Sequence, residues 1–156
     1  MSCDRKHAIT LAGSREALSG SMQTRGDTPV FAIKVRYSGL TNATVRFTAK
    51  TCVDDPDAMA EIKKTSATGG GIVIDTANST ADSLLATMTW AVNDTATIDI
   101  PPSPDRKPGK IRLNYDLQVV TSTGIVLTVE GAKEDAHFWL VGDVTLTNTA
   151  VPSGGI

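Results

Sequence analysis

Ile111 to Val120 reads IRLNYDLQVV, and this stretch decides the fold. Its odd positions are Ile111, Leu113, Tyr115, Leu117 and Val119, and its even positions begin Arg112, Asn114, Asp116 and Gln118. Side chains on a strand point alternately to opposite faces, so the run buries one face and wets the other. At helical spacing the same apolar set would scatter around the axis. TSTG (121–124) follows, and then IVLTVEG (125–131), with Ile125, Leu127 and Val129 alternating against Val126, Thr128 and Glu130. A short polar link containing glycine between two alternating runs predicts a β-hairpin.

Two more alternating runs lie upstream. TPVFAIKVRY sets Phe31, Ile33 and Val35 against Ala32, Lys34 and Arg36, and TVRFTAK sets Val45, Phe47 and Ala49 against Arg46, Thr48 and Lys50. Between the second run and the hairpin, CVDDPDAMAEIKK (52–64) admits a helix starting at Pro56 or a loop leading to an edge strand at Met59 to Lys63, and the loop is favoured. ATGGG (67–71) is a turn before a short strand at Ile72 to Asp75. SLLATMTWAV then places Leu84, Ala86, Met88 and Trp90 on one face. PPSPDRKPG (101–109) must be a loop, because proline cannot donate to a sheet ladder. AHFWLVGDVTLTN (136–148) supplies a last strand or two, broken near Gly142.

Seven to nine short strands with no long helical period predict an all-β protein, an antiparallel sandwich or barrel. The 156 residues suit one domain able to bury a core without staples. The predicted organisation is an N-terminal arm over 1–25, a β-sandwich over 26–148 and a C-terminal tail over 149–156. Gly13, Gly20 and Gly26 interrupt residues 1–26, and Ser14 to Met22 offers only a short helix without a capping box. The region is therefore read as a flexible arm that orders against a neighbouring subunit, with Ile9, Leu11 and Leu18 as its partner contacts. The expected core is Phe31, Ile33, Val35, Val45, Phe47, Met88, Trp90, Ile111, Leu113, Tyr115, Leu117, Ile125, Leu127 and Val129.

Composition argues against several partners. A net charge of -2 leaves no electrostatic footprint for nucleic acid, and Arg106, Lys107, Lys110 and Arg112 are flanked by Asp105 and Asp116. No run approaches the roughly 18–20 apolar residues of a membrane helix, and the first twenty residues have no apolar h-region. Neither a membrane partner nor a secretion signal is expected. Cys3 and Cys52 suggest reduced thiols and assembly in a reducing cytoplasm rather than a disulfide.

Chemistry-bearing patterns are sparse. His7 and His137 are too far apart in sequence to name as a metal pair, and GGG at 69–71 lacks a following Lys-Ser/Thr and a helix. Asp54, Asp55 and Asp57 lack EF-hand spacing, so an acidic loop is the better reading. Asp94, Asp99 and Asp116 are candidate glycosidase carboxylates, but nothing in the sequence sets a separation between them. Arg25-Gly26-Asp27 copies an integrin-binding tripeptide, but reads as coincidence with Gly26 opening a strand. Sequons at Asn42, Asn78 and Asn93 are discounted for want of a secretion signal. No catalytic residue, cofactor or metal is expected, and the chain is read as non-enzymatic.

RGDTPVFAIKV (25–35), LTNATVRFTAK (40–50) and GIVID (71–75), followed by NDTATIDIP (93–101) and the whole of 111–145, resemble small phage-encoded immunoglobulin-like domains. The order of turn, YDLQ strand, TSTG hairpin and closing DVT is similar to the N-terminal domains of phage baseplate upper proteins and related tail-fibre adaptors. The likeness covers about residues 25–147. It implies an immunoglobulin-like antiparallel β-sandwich in a virion structural protein of the tail, baseplate or fibre adaptor. Such a subunit would be multi-copy, with other virion proteins as partners. Those proteins usually continue into long receptor-binding regions, whereas this sequence stops after GDVTLTNTAVPSGGI. That departure favours a small structural, adaptor or decoration subunit, with a capsid decoration protein as the close alternative. A carbohydrate-binding or adhesion module ranks lower, because aromatics are only 4% of residues and both tryptophans lie in apolar strands. A small hydrolase ranks lowest.

Overall fold

Lys110–Val120 forms one continuous strand of eleven residues, the longest among the described residues. The structure, a computed structural model, describes residues 7–12, 16–103 and 109–143. Its strands are β1 (His7–Leu11), β2 (Met22–Thr24), β3 (Val30–Arg36), β4 (Thr44–Lys50), β5 (Ile62–Thr65), β6 (Ile72–Ile74), β7 (Ser83–Thr89), β8 (Lys110–Val120), β9 (Val126–Glu130) and β10 (His137–Val141). They make two packed sheets, one in the order β1-β3-β7-β6, the other in the order β2-β10-β8-β4-β5 with β9 also on β8.

The predicted all-β sandwich is the architecture found, and its strand order is immunoglobulin-like. β1, β3, β7 and β6 occupy the A, B, E and D positions. β4 and β8 take C and F, β5 is an added edge strand beside C, and β9 and β10 together take G. Ladders between successive partners are antiparallel, as in β3 with β7 and β4 with β8. The exception is β2, which lies parallel to β10. The chain therefore changes sheets between β1 and β2.

Alternation explains why these segments pair as they do. β3 buries every second residue, Phe31, Ile33 and Val35, and β7 answers with Leu84, Ala86 and Met88. From the other sheet come Val45, Phe47 and Ala49 of β4 and Leu113, Tyr115, Leu117 and Val119 of β8. Twelve of the fourteen expected core residues are buried, and Ile111 is half-buried against the core margin. Ile125 is the exception, at 53% exposure. It has the right parity but precedes β9 at the hairpin tip, beyond the cover of the opposite sheet. There Thr121 accepts from its backbone N–H through Oγ1 and donates to its carbonyl.

The N-terminal expectation is corrected where the residues are described. β1 is paired along its whole length with β3, His7 opposite Val35 and Leu11 opposite Phe31. Ile9 and Leu18 are each 1% exposed inside the sandwich, and Leu11 packs against the same core. These side chains are thus engaged by their own domain and are not free to bind a neighbour. Nor does Glu16 to Gly20 form a helix. The Leu11 N–H donates to the Glu16 carbonyl, the Leu18 N–H donates to the Ile9 carbonyl, and Thr10 bridges Ala17. A five-residue strand has too few residues to establish a period, which is why the pattern misled. Residues 1–6 and 13–15, and the tail expected over 149–156, lie outside the described residues.

Smaller differences are local. The 52–64 segment is a loop with one 3-10 turn at Asp57–Met59 before β5, so both parts of the earlier alternative are partly met. Val92–Thr95 forms a single helical turn, α1, started by the Asp94 carboxylate accepting from the Ala91 N–H at 2.6 Å.

Replacing Ile9 by alanine tests the corrected N-terminus. A core position predicts a loss of about 2–5 kcal/mol in chemical denaturation, whereas an arm would give a change near zero.

Candidate functional site

The outer face of the β5-β4-β8 sheet is where the wet side of the founding pattern comes together. Strand register sorts it into cross-strand rows. Thr65, Arg46, Gln118 and Thr128 form one row, since Arg46 stands opposite both Thr65 and Gln118, and Gln118 opposite Thr128. Lys63, Thr48 and Asp116 form the next. Lys50, Asn114 and His137 form the third.

The first row is closed by its own hydrogen bonds. The Arg46 Nε donates to Gln118 Oε1 at 2.7 Å, and Gln118 Nε2 donates to Thr128 Oγ1 at 3.3 Å. In the third row Lys50 Nζ donates to the Asp55 carbonyl at 2.7 Å and pairs with Asp57 at 2.7 Å, which holds the 52–59 loop against the sheet. The middle row is different. Among the described residues, the side chains of Lys63, Thr48 and Asp116 make no hydrogen bond or close ion pair.

The cause is a break in the last strand. β9 carries a bulge, Gln118 pairing with Thr128 but Leu117 with Glu130, so Val129 is the extra residue. The bulge turns Glu130 inward beside Leu117, where its carboxylate accepts from the Tyr115 hydroxyl. Burial, then Glu130, pushes the phenol of Tyr115 far above its ordinary pKa. Residues 131–135 then leave the sheet through a 3-10 turn, with the Gly131 N–H donating to Glu134 Oε1 at 3.0 Å. Pairing resumes where the Tyr115 N–H donates to the Ala136 carbonyl and His137 stands opposite Asn114. Asp116 is left without a cross-strand side chain on that side. Gly131 packs over it so closely that a Cβ there would lie 2.7 Å from the Thr128 methyl and 3.4 Å from the Asp116 Cβ.

The turn over 131–136 and the loop over 52–59 rise as two walls, and the middle row is the floor between them. They enclose a trough of about 600 Å³ that also reaches Val53, Ala132 and Asp135. Four cations, Arg46, Lys50, Lys63 and Lys64, line it with Asp57, Asp116 and Asp135, and Lys64 is already paired with Asp94. The arrangement offers mixed hydrogen bonding without a dominant charge.

Burial pushes the Asp116 carboxyl above the ordinary 3.8, with Asp57 adding to the rise and Arg46 and Lys50 opposing it. A carboxyl whose native pKa is raised favours folding most while protonated, below the unfolded pKa. That contribution is lost as pH rises through the native value. Asp116→Asn is therefore expected to raise the thermal midpoint at neutral pH. The advantage should vanish below pH 3.8. Thermal melts of both proteins at neutral and acidic pH check it, and an equal gain at both would contradict the origin given.

The other candidates separate. Asp94 caps α1 and pairs with Lys64 at 2.6 Å, Asp99 is exposed, and Asp116 stands in the trough, so the three do not form a carboxylate pair. No group of three or more metal-ligating side chains occurs among the described residues. In the Arg-Gly-Asp triplet, Arg25 Nε donates to Asp143 at 3.1 Å, Arg25 Nη1 donates to the Ile98 carbonyl at 3.1 Å, and the Gly26 N–H donates to Thr95 Oγ1 at 2.7 Å. The triplet is a structural clamp at the foot of the sandwich. His137 Nδ1 lies 2.7 Å from the Asp135 carbonyl oxygen, and Cys52 is an exposed thiol. Arg106, Lys107 and Cys3 lie outside the described residues.

Sequence reasoning named Asp116 but missed Lys63 and Thr48 as its companions. Their polar parity was visible, while their common row depends on register between strands far apart in the chain. The chain matches no known family model and no curated protein.

Proposed function

We propose that this chain is a non-enzymatic structural protein of a phage particle, a tail, baseplate or fibre-adaptor subunit present in many copies. Capsid decoration is the alternative within the same class. The observation that carries the reading is positional. Of the segments resembling phage immunoglobulin-like domains, 25–35, 40–50, 71–75 and the described part of 111–145 include, in order, β3, β4, β6 and β8 to β10, while 93–101 includes part of the α1 turn and no strand. Most of the likeness thus follows strands from both sheets of one sandwich.

Partner contacts in this reading move away from Ile9, Leu11 and Leu18. Exposed apolar side chains lie elsewhere, among them Val73 on β6, Val53 and Met59 on the loop before β5, and Ile125 and Val126 at the β8–β9 hairpin. Exposed apolar residues grouped on loops suit contact with neighbouring subunits.

Mass spectrometry of purified particles, with immunogold labelling against this chain, tests the assignment. Multiple copies per particle are expected, with label on the tail. Label over the capsid shell would select decoration, and a chain found only free in infected cells would end the structural reading.

A further inference from the structure

We propose that the trough between the 52–59 loop and the 131–136 turn binds a neutral oligosaccharide, held by the row Lys63–Thr48–Asp116. The inference stands independently of the virion reading, since it rests on the trough alone.

The first argument is which groups are open. The floor row carries an ammonium, a hydroxyl and a carboxylate, side by side on three adjacent strands. Two interstrand spacings put the outer strands roughly 9–10 Å apart. Neighbouring polar rows are closed by Arg46–Gln118–Thr128 and by Lys50 with Asp57. Asp116 can only accept while ionised, Lys63 can only donate, and Thr48 can do either. A ligand that satisfies all three must both donate and accept along its length.

The second argument is charge. A cation drawn to Asp116 meets Arg46 and Lys50, which already act on that carboxylate. An anion drawn to Lys63 meets Asp57, on which Lys63 already acts. Mixed signs at short spacing disfavour a ligand of either single charge. A sugar hydroxyl is neutral, donates and accepts, and so meets neither penalty.

The third argument is size and lining. A volume of about 600 Å³ is within the usual range for small-molecule sites and accommodates two or three sugar units. Val53 and Ala132 give the walls apolar patches against which sugar C–H faces can rest. Aromatic stacking is not the mode. Trp90 is in the core, and Trp139 has Lys110 Nζ 4.7 Å from its ring centroid. Recognition here runs through hydrogen bonds, so millimolar rather than tight binding is the outcome to look for.

The test uses the full chain labelled with ¹⁵N, titrated with maltotriose, mannotriose and N,N′,N″-triacetylchitotriose, and in separate samples with spermidine and inorganic phosphate. At least one trisaccharide should shift the amides of Lys63, Thr48 and Asp116. Asp116→Ala should weaken that binding about tenfold, as expected for losing a hydrogen bond to a charged group. Lys63→Ala, at an exposed position that removes no core packing, should weaken it as well, while Asp99→Ala should leave it unchanged. A dispersed spectrum for each variant confirms folding. Shifts with spermidine or phosphate alone, shifts confined to other surfaces, or no shift with any of the three sugars would overturn the proposal.

Discussion

Five of the seven aromatic residues meet in one cluster between the sheets, and the sandwich depends on that contact. Phe31 and Trp90 come from the sheet containing β3 and β7; Phe47, Tyr115 and Phe138 come from the other. Trp90 lies 4.7 Å from Phe31, 6.2 Å from Phe47 and 5.3 Å from Phe138, ring centroid to centroid, so a single side chain touches both layers. Each such pair adds about 0.5–1.5 kcal/mol beyond burial. The arrangement carries a cost. Trp90 Nε1 is buried with no hydrogen-bond partner among the described residues, a penalty of about 1–3 kcal/mol. Three ring contacts roughly offset it, and the burial of the indole decides the balance in favour of the fold.

That dependence explains why so much of the fold is legible in the sequence. Phe31, Phe47, Met88, Trp90, Tyr115 and Leu117 all sit at the parity that alternation assigns, because a one-residue slip in any of their strands would turn its apolar set to solvent. Strands of seven or eleven residues repeat the signal often enough to be read. Ile9 and Leu18 show where reading fails. Each contributes one buried side chain from a segment too short to establish a period, and the backbone hydrogen bonds from Leu11 to Glu16 and from Leu18 to Ile9 are ones no composition reveals. Ile125 fails in the opposite sense. Its parity is right, but burial also requires an opposite sheet, and at the hairpin tip that cover ends.

The trough was legible only in part. Arg46, Thr48, Asp116 and Gln118 are polar at the wet parity of β4 and β8, so the sequence marks a solvated face. It does not mark which of them stand together, since Thr48 and Asp116 are 68 positions apart and become neighbours through register alone. The loop aspartates are instructive as well. The acidic-loop reading of the cluster is the better one, and within that loop Asp57 is held by Lys50, whose hydrogen bond keeps its carboxyl below the usual range. The Asp57 carboxylate and the Asp55 carbonyl fasten a wall through Lys50.

One irregularity accounts for the rest of that face. Had β9 run on into β10 without interruption, a side chain would oppose Asp116 as Thr128 opposes Gln118, and the row could close on itself. Instead the bulge at Val129 sends Glu130 inward to Tyr115 and ejects 131–135 from the sheet. The same displacement builds the trough's second wall and removes the partner that Asp116 would otherwise have. Leaving a half-buried carboxylate without a hydrogen bond is unfavourable, and its raised pKa records that. Gly131 keeps the ejected turn pressed close over the site, where a larger residue would collide with Thr128. Bulges that re-aim side chains recur beside binding sites for this reason. Wall, open acceptor and close-packed glycine therefore have a common origin in the broken final strand, and moving the ladder back into register would abolish all three at once.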